Sequence, residues 1–223
     1  MAISRVFLFI ASAVLSSSIG LVQASVVDQA MQAKTAEEAV EIATNEVLEL
    51  ITEGQSYVDA NPDRFYEEVK TLLDPMIDFE RFARSVMGVW YKKASPEQFE
   101  RFSESFKWSL VKTYATALTE FHAGEVRVVP NKRRNGPTKS LVTMEIDWQG
   151  KTYTVVYDMR KKSEVWQLVN VSIEGINLGL NYKSQFDSAM KGPKFGRDLE
   201  KVIEAWANQV REAERQSAAA DAR

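Results

Sequence analysis

The 223-residue sequence predicts an α+β fold, a four-stranded antiparallel meander packed with helices. Three observations predict it. Apolar residues recur at helical spacing, behind recognisable caps, as far as Phe121. After Gly124 the period falls to two and holds to Ile173. At Asn177 the helical period returns. Helices and strands are thus segregated in the chain rather than alternating, which excludes a βαβ fold.

The elements follow in order. Arg5 precedes a ten-residue apolar run, Val6 to Leu15, too short to span a bilayer. Val22-Gln23-Ala24 supplies small residues at a cleavage site, so residues 1–24 read as a signal peptide removed after Ala24. Residue 25 is Ser rather than Cys, so no lipoprotein anchor is expected. The remaining 25–223 reads as one domain, with helices over about 28–122, sheet over about 125–174 and helices over about 177–216. Thr35-Ala36-Glu37-Glu38 is a capping box, followed by Val40, Ala43, Val47 and Ile51, with Gly54 as the stop. Asn61-Pro62 opens a second helix carrying Phe65, Val69 and Leu72. Asp78 caps a third with Phe79, Phe82, Val86 and Trp90. Ser95-Pro96-Glu97-Gln98 combines an N-cap, a proline at the first helical position and a capping-box Gln. The stripe behind it includes Phe102, Phe106, Leu110 and Tyr114, on a helix reaching His122 and about 40 Å long. That stripe is expected to face the sheet.

Strands are predicted over 125–130, 140–148, 151–159 and 165–173. The two-residue loop Gln149-Gly150 sets the register of the central hairpin. Ile146 then faces Tyr153, Met144 faces Val155 and Val142 faces Tyr157, all on one greasy face. Glu145, Asp147, Thr152 and Thr154 fall on a wet face. In the fourth strand Trp166 and Leu168 alternate out of phase with Val169, Val171 and Ile173, which a bulge near Val169 reconciles. A last amphipathic helix carries Leu199, Val202, Trp206 and Val210.

Composition removes much chemistry. There is no cysteine, hence no disulfide, thiolate-held zinc, iron–sulfur cluster or cysteine nucleophile. A secreted chain without disulfides fits the bacterial periplasm. The single histidine, His122, closes the long helix, where the helix dipole favours a cation. With 28 Lys and Arg against 31 Asp and Glu, the net charge of −3 argues against nucleic acid as a partner. No phosphate-binding glycine loop, nucleophile elbow or zinc-protease helix is present. What the sequence does hold is large apolar side chains directed to one place. Trp90, Phe102, Phe106, Leu110 and Tyr114 come from helices, and Val142, Met144, Tyr153, Val155, Tyr157 and Trp166 from the sheet. These residues suit a filled core and an apolar binding pocket equally. In an up-and-down meander the first and third loops share one end. This gathers Lys132, Arg133, Arg134 and Lys139 with Arg160, Lys161 and Lys162 into a basic rim for anions or an acidic docking surface.

Several runs resemble one family. They are Ala83-Arg84-Ser85-Val86-Met87-Gly88, then Trp90-Tyr91-x-x-Ala94-Ser95-Pro96-Glu97-Gln98-x-x-x-Phe102, then Phe106, Leu110 and Tyr114 at helical spacing. The run from Trp166 through Gly175-Ile176-Asn177-Leu178, followed by Gln185-Phe186, completes the set. In order and spacing the chain is similar to the MlaC, or toluene-tolerance, family of periplasmic phospholipid-binding proteins. The Pro130–Lys139 loop matches nothing in that pattern. The resemblance implies an NTF2/cystatin-like curved sheet, plus a small helical subdomain that closes its mouth, enclosing an apolar cavity, and it adds Ile176 to the candidate lipid-binding residues. It implies a monomeric carrier without catalytic residue, metal or cofactor, with phospholipid as its ligand. Its implied partners are an outer-membrane lipoprotein complex and an inner-membrane ABC transporter with its lipid-binding subunit. An NTF2-like enzyme would instead need an acid or base on the greasy face, and a chaperone would need an open edge or groove.

Overall fold

The described residues of the computed structural model are 32–119, 125–129 and 135–208. The expected signal peptide, His122, the rim residues Lys132, Arg133 and Arg134, and Val210 lie outside them. Helix α1 (Ala36–Gly54) begins at Thr35, whose hydroxyl accepts the Glu38 amide at 3.1 Å. Helix α2 (Pro62–Leu73) is capped by Asn61 and α3 (Phe79–Met87) by Asp78. A 3-10 turn (Gly88–Lys93) carries Trp90 out of α3 and leads to α4 (Pro96–Thr119). Both halves of the capping box at α4 form: Ser95 Oγ accepts from the Gln98 amide at 3.2 Å, and Gln98 Oε1 from the Ser95 amide at 3.1 Å.

The chain then makes β1 (Glu125–Val129), β2 (Lys139–Trp148), β3 (Lys151–Lys162), β4 (Val165–Ile173) and a two-residue β5 (Ile176–Asn177), ordered as an antiparallel meander. Helix α5 (Leu178–Lys191), capped by Asn177, and helix α6 (199–208) finish the described chain. β5 is too short to show a period in sequence, so the sheet has one strand more than expected. The hairpin register is the predicted one, with Ile146 opposite Tyr153, Met144 opposite Val155 and Val142 opposite Tyr157. Gln149 and Gly150 both adopt positive φ, the two-residue turn that matches strand twist. The bulge also forms: Asp158 pairs with Asn170 but Met159 with Leu168, leaving Val169 as the extra residue. Trp166, Leu168, Val171 and Ile173 therefore share one face. On the wet face, Arg127 bridges Glu145 at 2.6 Å.

Burial divides into two clusters. One is purely helical and holds Phe65, Phe82, Val86, Phe102, Phe106, Phe186 and Ile203. The other joins the start of α1 to the sheet through Ala36, Ala39, Val40, Val142, Met159 and Trp166. The stripe of α4 belongs to the first, which corrects the expectation that it faces the sheet. Phe102 stacks on Phe106, and both meet Trp206 edge-on, while Phe82 and Tyr182 meet Phe106 from other sides. Aromatic rings fill space best against other rings, so α4 became the centre of a helical layer. That layer is tied to the sheet in-plane. Leu168 donates its amide to Met76 and accepts from Asp78, both at 2.9 Å, so that Ile77 and Leu168 form a parallel bridge at the edge of β4.

Gly54 does end α1, but for a reason other than a left-handed cap. The following Gln55 is right-handed, while a Cβ on Gly54 would lie 2.5 Å from the buried Phe65 ring. Gly54→Ala is expected to destabilise the fold by about 1–3 kcal/mol through this overlap, measured by urea unfolding.

Candidate functional site

Helix α1 lies across the greasy face of the sheet with small residues turned inward. Ala36 and Ala39 allow close approach at its start. Further along, the two surfaces part and leave an apolar slot of about 230 Å³. One wall is α1 from Ala39 to Ile51, about 18 Å of helix. The other is sheet: Val126, Met144, Ile146, Tyr157, Met159 and Trp166 among others. Leu73, Met76 and Ile77, from the segment bridged to β4, close one side.

Polar atoms are scarce in this lining. Among the described lining residues, Thr44, Tyr157 and Trp166 carry the side-chain oxygen and nitrogen atoms. The Trp166 indole N–H already donates to the Lys34 carbonyl at 3.3 Å. Burial in apolar surroundings pushes the Tyr157 phenol above its ordinary range, so it stays protonated. Among the described residues, no carboxylate or imidazole lines the slot.

The structure brings Met144, Tyr157 and Trp166, of the sequence-derived candidates, into the slot. Val142 is fully buried beneath it, against α1. Val155 is buried on the same sheet face, between Met144 and Ile173. Tyr153 lies farther out, under the Lys151 ammonium and beside Trp148. Trp90, Phe102, Phe106 and Leu110 are core of the helical cluster, and Tyr114 packs against it. Burial and the neighbouring Tyr182 raise the Tyr114 phenol as well. The Trp90 indole is fixed by Asp187 at 3.0 Å. Ile176 is 58% exposed, near the start of α5. The wall formed by α1 was not anticipated as a site. Its signal was present as small residues at helical spacing, Ala36, Ala39 and Ala43, on the inward face.

The outward face of α1 is acidic. Desolvation, then repulsion from Glu49 and Glu53, raises the Glu46 carboxyl above its ordinary value. A raised carboxylate destabilises the folded state while ionised, and that penalty disappears as pH falls through the folded value. Glu46→Gln is therefore expected to raise Tm by about 1 °C at pH 7, and by nothing below about pH 4, in a thermal melt.

The basic rim is partly neutralised. The Lys161 amide bonds the Thr138 carbonyl at 3.0 Å, so the two loops do adjoin. Arg160 pairs with Asp158, Lys161 with Glu164 and Lys162 with Asp78. Among the described residues, no helix is long and apolar enough to cross a membrane.

An open sheet with an apolar slot along one helix, and few convergent polar atoms, is the architecture of a small-ligand-binding protein. Comparison with known proteins gives the class its family. The MlaC protein family model matches residues 41–208. The Toluene tolerance protein ttg2D of Pseudomonas putida is 34% identical over 182 residues, covering 81% of this chain and 84% of that protein. The Intermembrane phospholipid transport system binding protein MlaC of Haemophilus influenzae is 28% identical over 90 residues, 40% of this chain and 42% of that one. A solved structure of the phospholipid-binding protein from Ralstonia solanacearum, in complex with a phospholipid, superposes with a TM-score of 0.69 at 26% identity. The match covers 79% of this chain and 98% of that one. The chain belongs to the MlaC family.

Proposed function

We propose that this protein is a periplasmic phospholipid carrier that holds acyl chain in the slot between α1 and the sheet. The observation that carries the reading is the slot itself, 18 Å of apolar helix over an apolar sheet face, in a chain whose structural relative binds a phospholipid. The physics of transfer fits. Each CH₂ leaving an apolar site for water costs about 0.8 kcal/mol, so two bare acyl chains face a barrier on the order of 20 kcal/mol. A carrier lowers that barrier by covering the chains, and needs no reacting group to do so. Contacts to methylenes carry no head-group information, so the head group stays outside and is tolerated. The slot is below the usual 300 Å³ or so of ligand pockets, so loading two chains widens it.

In this reading residues 1–24 direct export and are cleaved, and the carrier works as a monomer. It exchanges lipid with an outer-membrane lipoprotein complex and with an inner-membrane ABC transporter through its lipid-binding subunit. Energy then comes from the transporter, because the chain carries no nucleotide-binding motif. The test is organic extraction of protein purified without detergent, followed by lipid mass spectrometry. Near-stoichiometric phospholipid is expected. A protein that carries none, and takes none from phospholipid vesicles, is not a carrier.

A further inference from the structure

Two hydroxyl groups converge midway along the slot. The Thr44 hydroxyl donates to Met144 Sδ at 3.5 Å from the helix side, and the Tyr157 hydroxyl approaches the same sulfur at 3.8 Å from the sheet side. A thioether is a weak acceptor, so two good donors share one poor partner. Among the described residues, no neighbouring side chain on this wall offers them an oxygen, since the adjoining residues are Ala43, Val47, Ile77 and Leu168. A part-buried hydroxyl held on so weak an acceptor gains little from its bond, and Val and Phe would fill the same two positions. The arrangement becomes favourable when a ligand brings an oxygen acceptor to the sulfur's place. The acyl part of a phospholipid has one kind of acceptor to offer, its ester carbonyl.

We propose that Thr44 and Tyr157 form a donor pair that receives an ester carbonyl oxygen of the lipid, and so sets how deep the acyl chain sits. Depth then follows from a fixed point on the protein, whereas methylene contacts alone would let the chain slide. The proposal rests on the carrier reading above. It also makes the pocket selective at a bond that head-group chemistry does not touch. Ester-linked lipids are held by the pair, and ether-linked lipids of the same shape are not.

The test offers delipidated protein an equimolar mixture of diester and diether phosphatidylglycerol of equal chain length in vesicles. Bound lipid is then extracted and the ratio read by mass spectrometry. The unsubstituted protein is expected to enrich the diester about fivefold, the worth of one ordinary hydrogen bond. Tyr157→Phe is expected to bring the ratio close to one, and Thr44→Val to lower it partway. Both variants keep the side-chain shape, and a thermal melt verifies that each is folded. A ratio of one in the unsubstituted protein overturns the donor pair, as does a fivefold ratio that survives in both variants. Retention of neither lipid by the unsubstituted protein overturns the carrier reading, and the donor pair with it.

Discussion

Ala43→Trp is expected to empty the slot. Ala43 lies on the inward face of α1, midway along the apolar wall. An indole placed there occupies the space that hydrocarbon would take. Phospholipid recovered with the purified protein should fall at least about tenfold, equivalent to about 1.4 kcal/mol of lost affinity. The fold should survive, because the new ring enters a void rather than a filled core, and the lower helix propensity of Trp costs well under about 1 kcal/mol. Asn45→Trp supplies the control. Asn45 is exposed, two residues away and so on the opposite side of the helix, and the same ring there should leave lipid content unchanged. Full loading of Ala43→Trp, read by extraction and mass spectrometry, would place the lipid elsewhere in the molecule.

The largest stability effect is expected at Phe106. Its ring is fully buried and contacts Phe82 at 5.3 Å, Tyr182 at 5.3 Å and Phe102 at 5.8 Å. Phe106→Ala leaves a cavity where α3, α4 and α5 meet, at a cost of about 3–5 kcal/mol. In a domain of this size that corresponds to a fall in Tm on the order of 10 °C. Lipid per folded molecule should be retained, because Phe106 supports the helical layer and does not line the slot. Loss of lipid at temperatures where circular dichroism shows a folded protein would instead make the α4 aromatics part of the binding surface.

These two substitutions mark the boundary of what the sequence conveys. The register of β2 and β3 was legible because a two-residue turn leaves one pairing, and the bulge at Val169 because alternation reverses there. Helix starts were legible because Thr35, Asn61, Asp78, Ser95 and Asn177 are capping residues before apolar stripes. The slot was not. A void is a lack of atoms, and its one signal, the alanines of α1, reads equally as close helix–sheet packing. The richest aromatic stripe, on α4, read as the cavity wall, yet large rings are the side chains that fill space most completely. The wall proved to be the helix with alanines, whose short side chains bring α1 onto the sheet at one end and leave room further along. The in-plane bridge between Ile77 and Leu168 was invisible for another reason, since it is made by backbone groups that every residue carries.

That bridge also makes the slot depend on a long-range contact. It joins segments separated by roughly ninety residues of chain, a loop whose closure entropy must be met before the contact forms. The segment it fixes, Met76 and Ile77, is a side of the slot. A chain emerging from its N-terminus can thus form α1, α2 and α3 early, each with its own cap, and still present no finished pocket. The pocket is completed when β4 arrives and Leu168 finds both Met76 and Asp78. A slot-based site is therefore incomplete until β4 is in place.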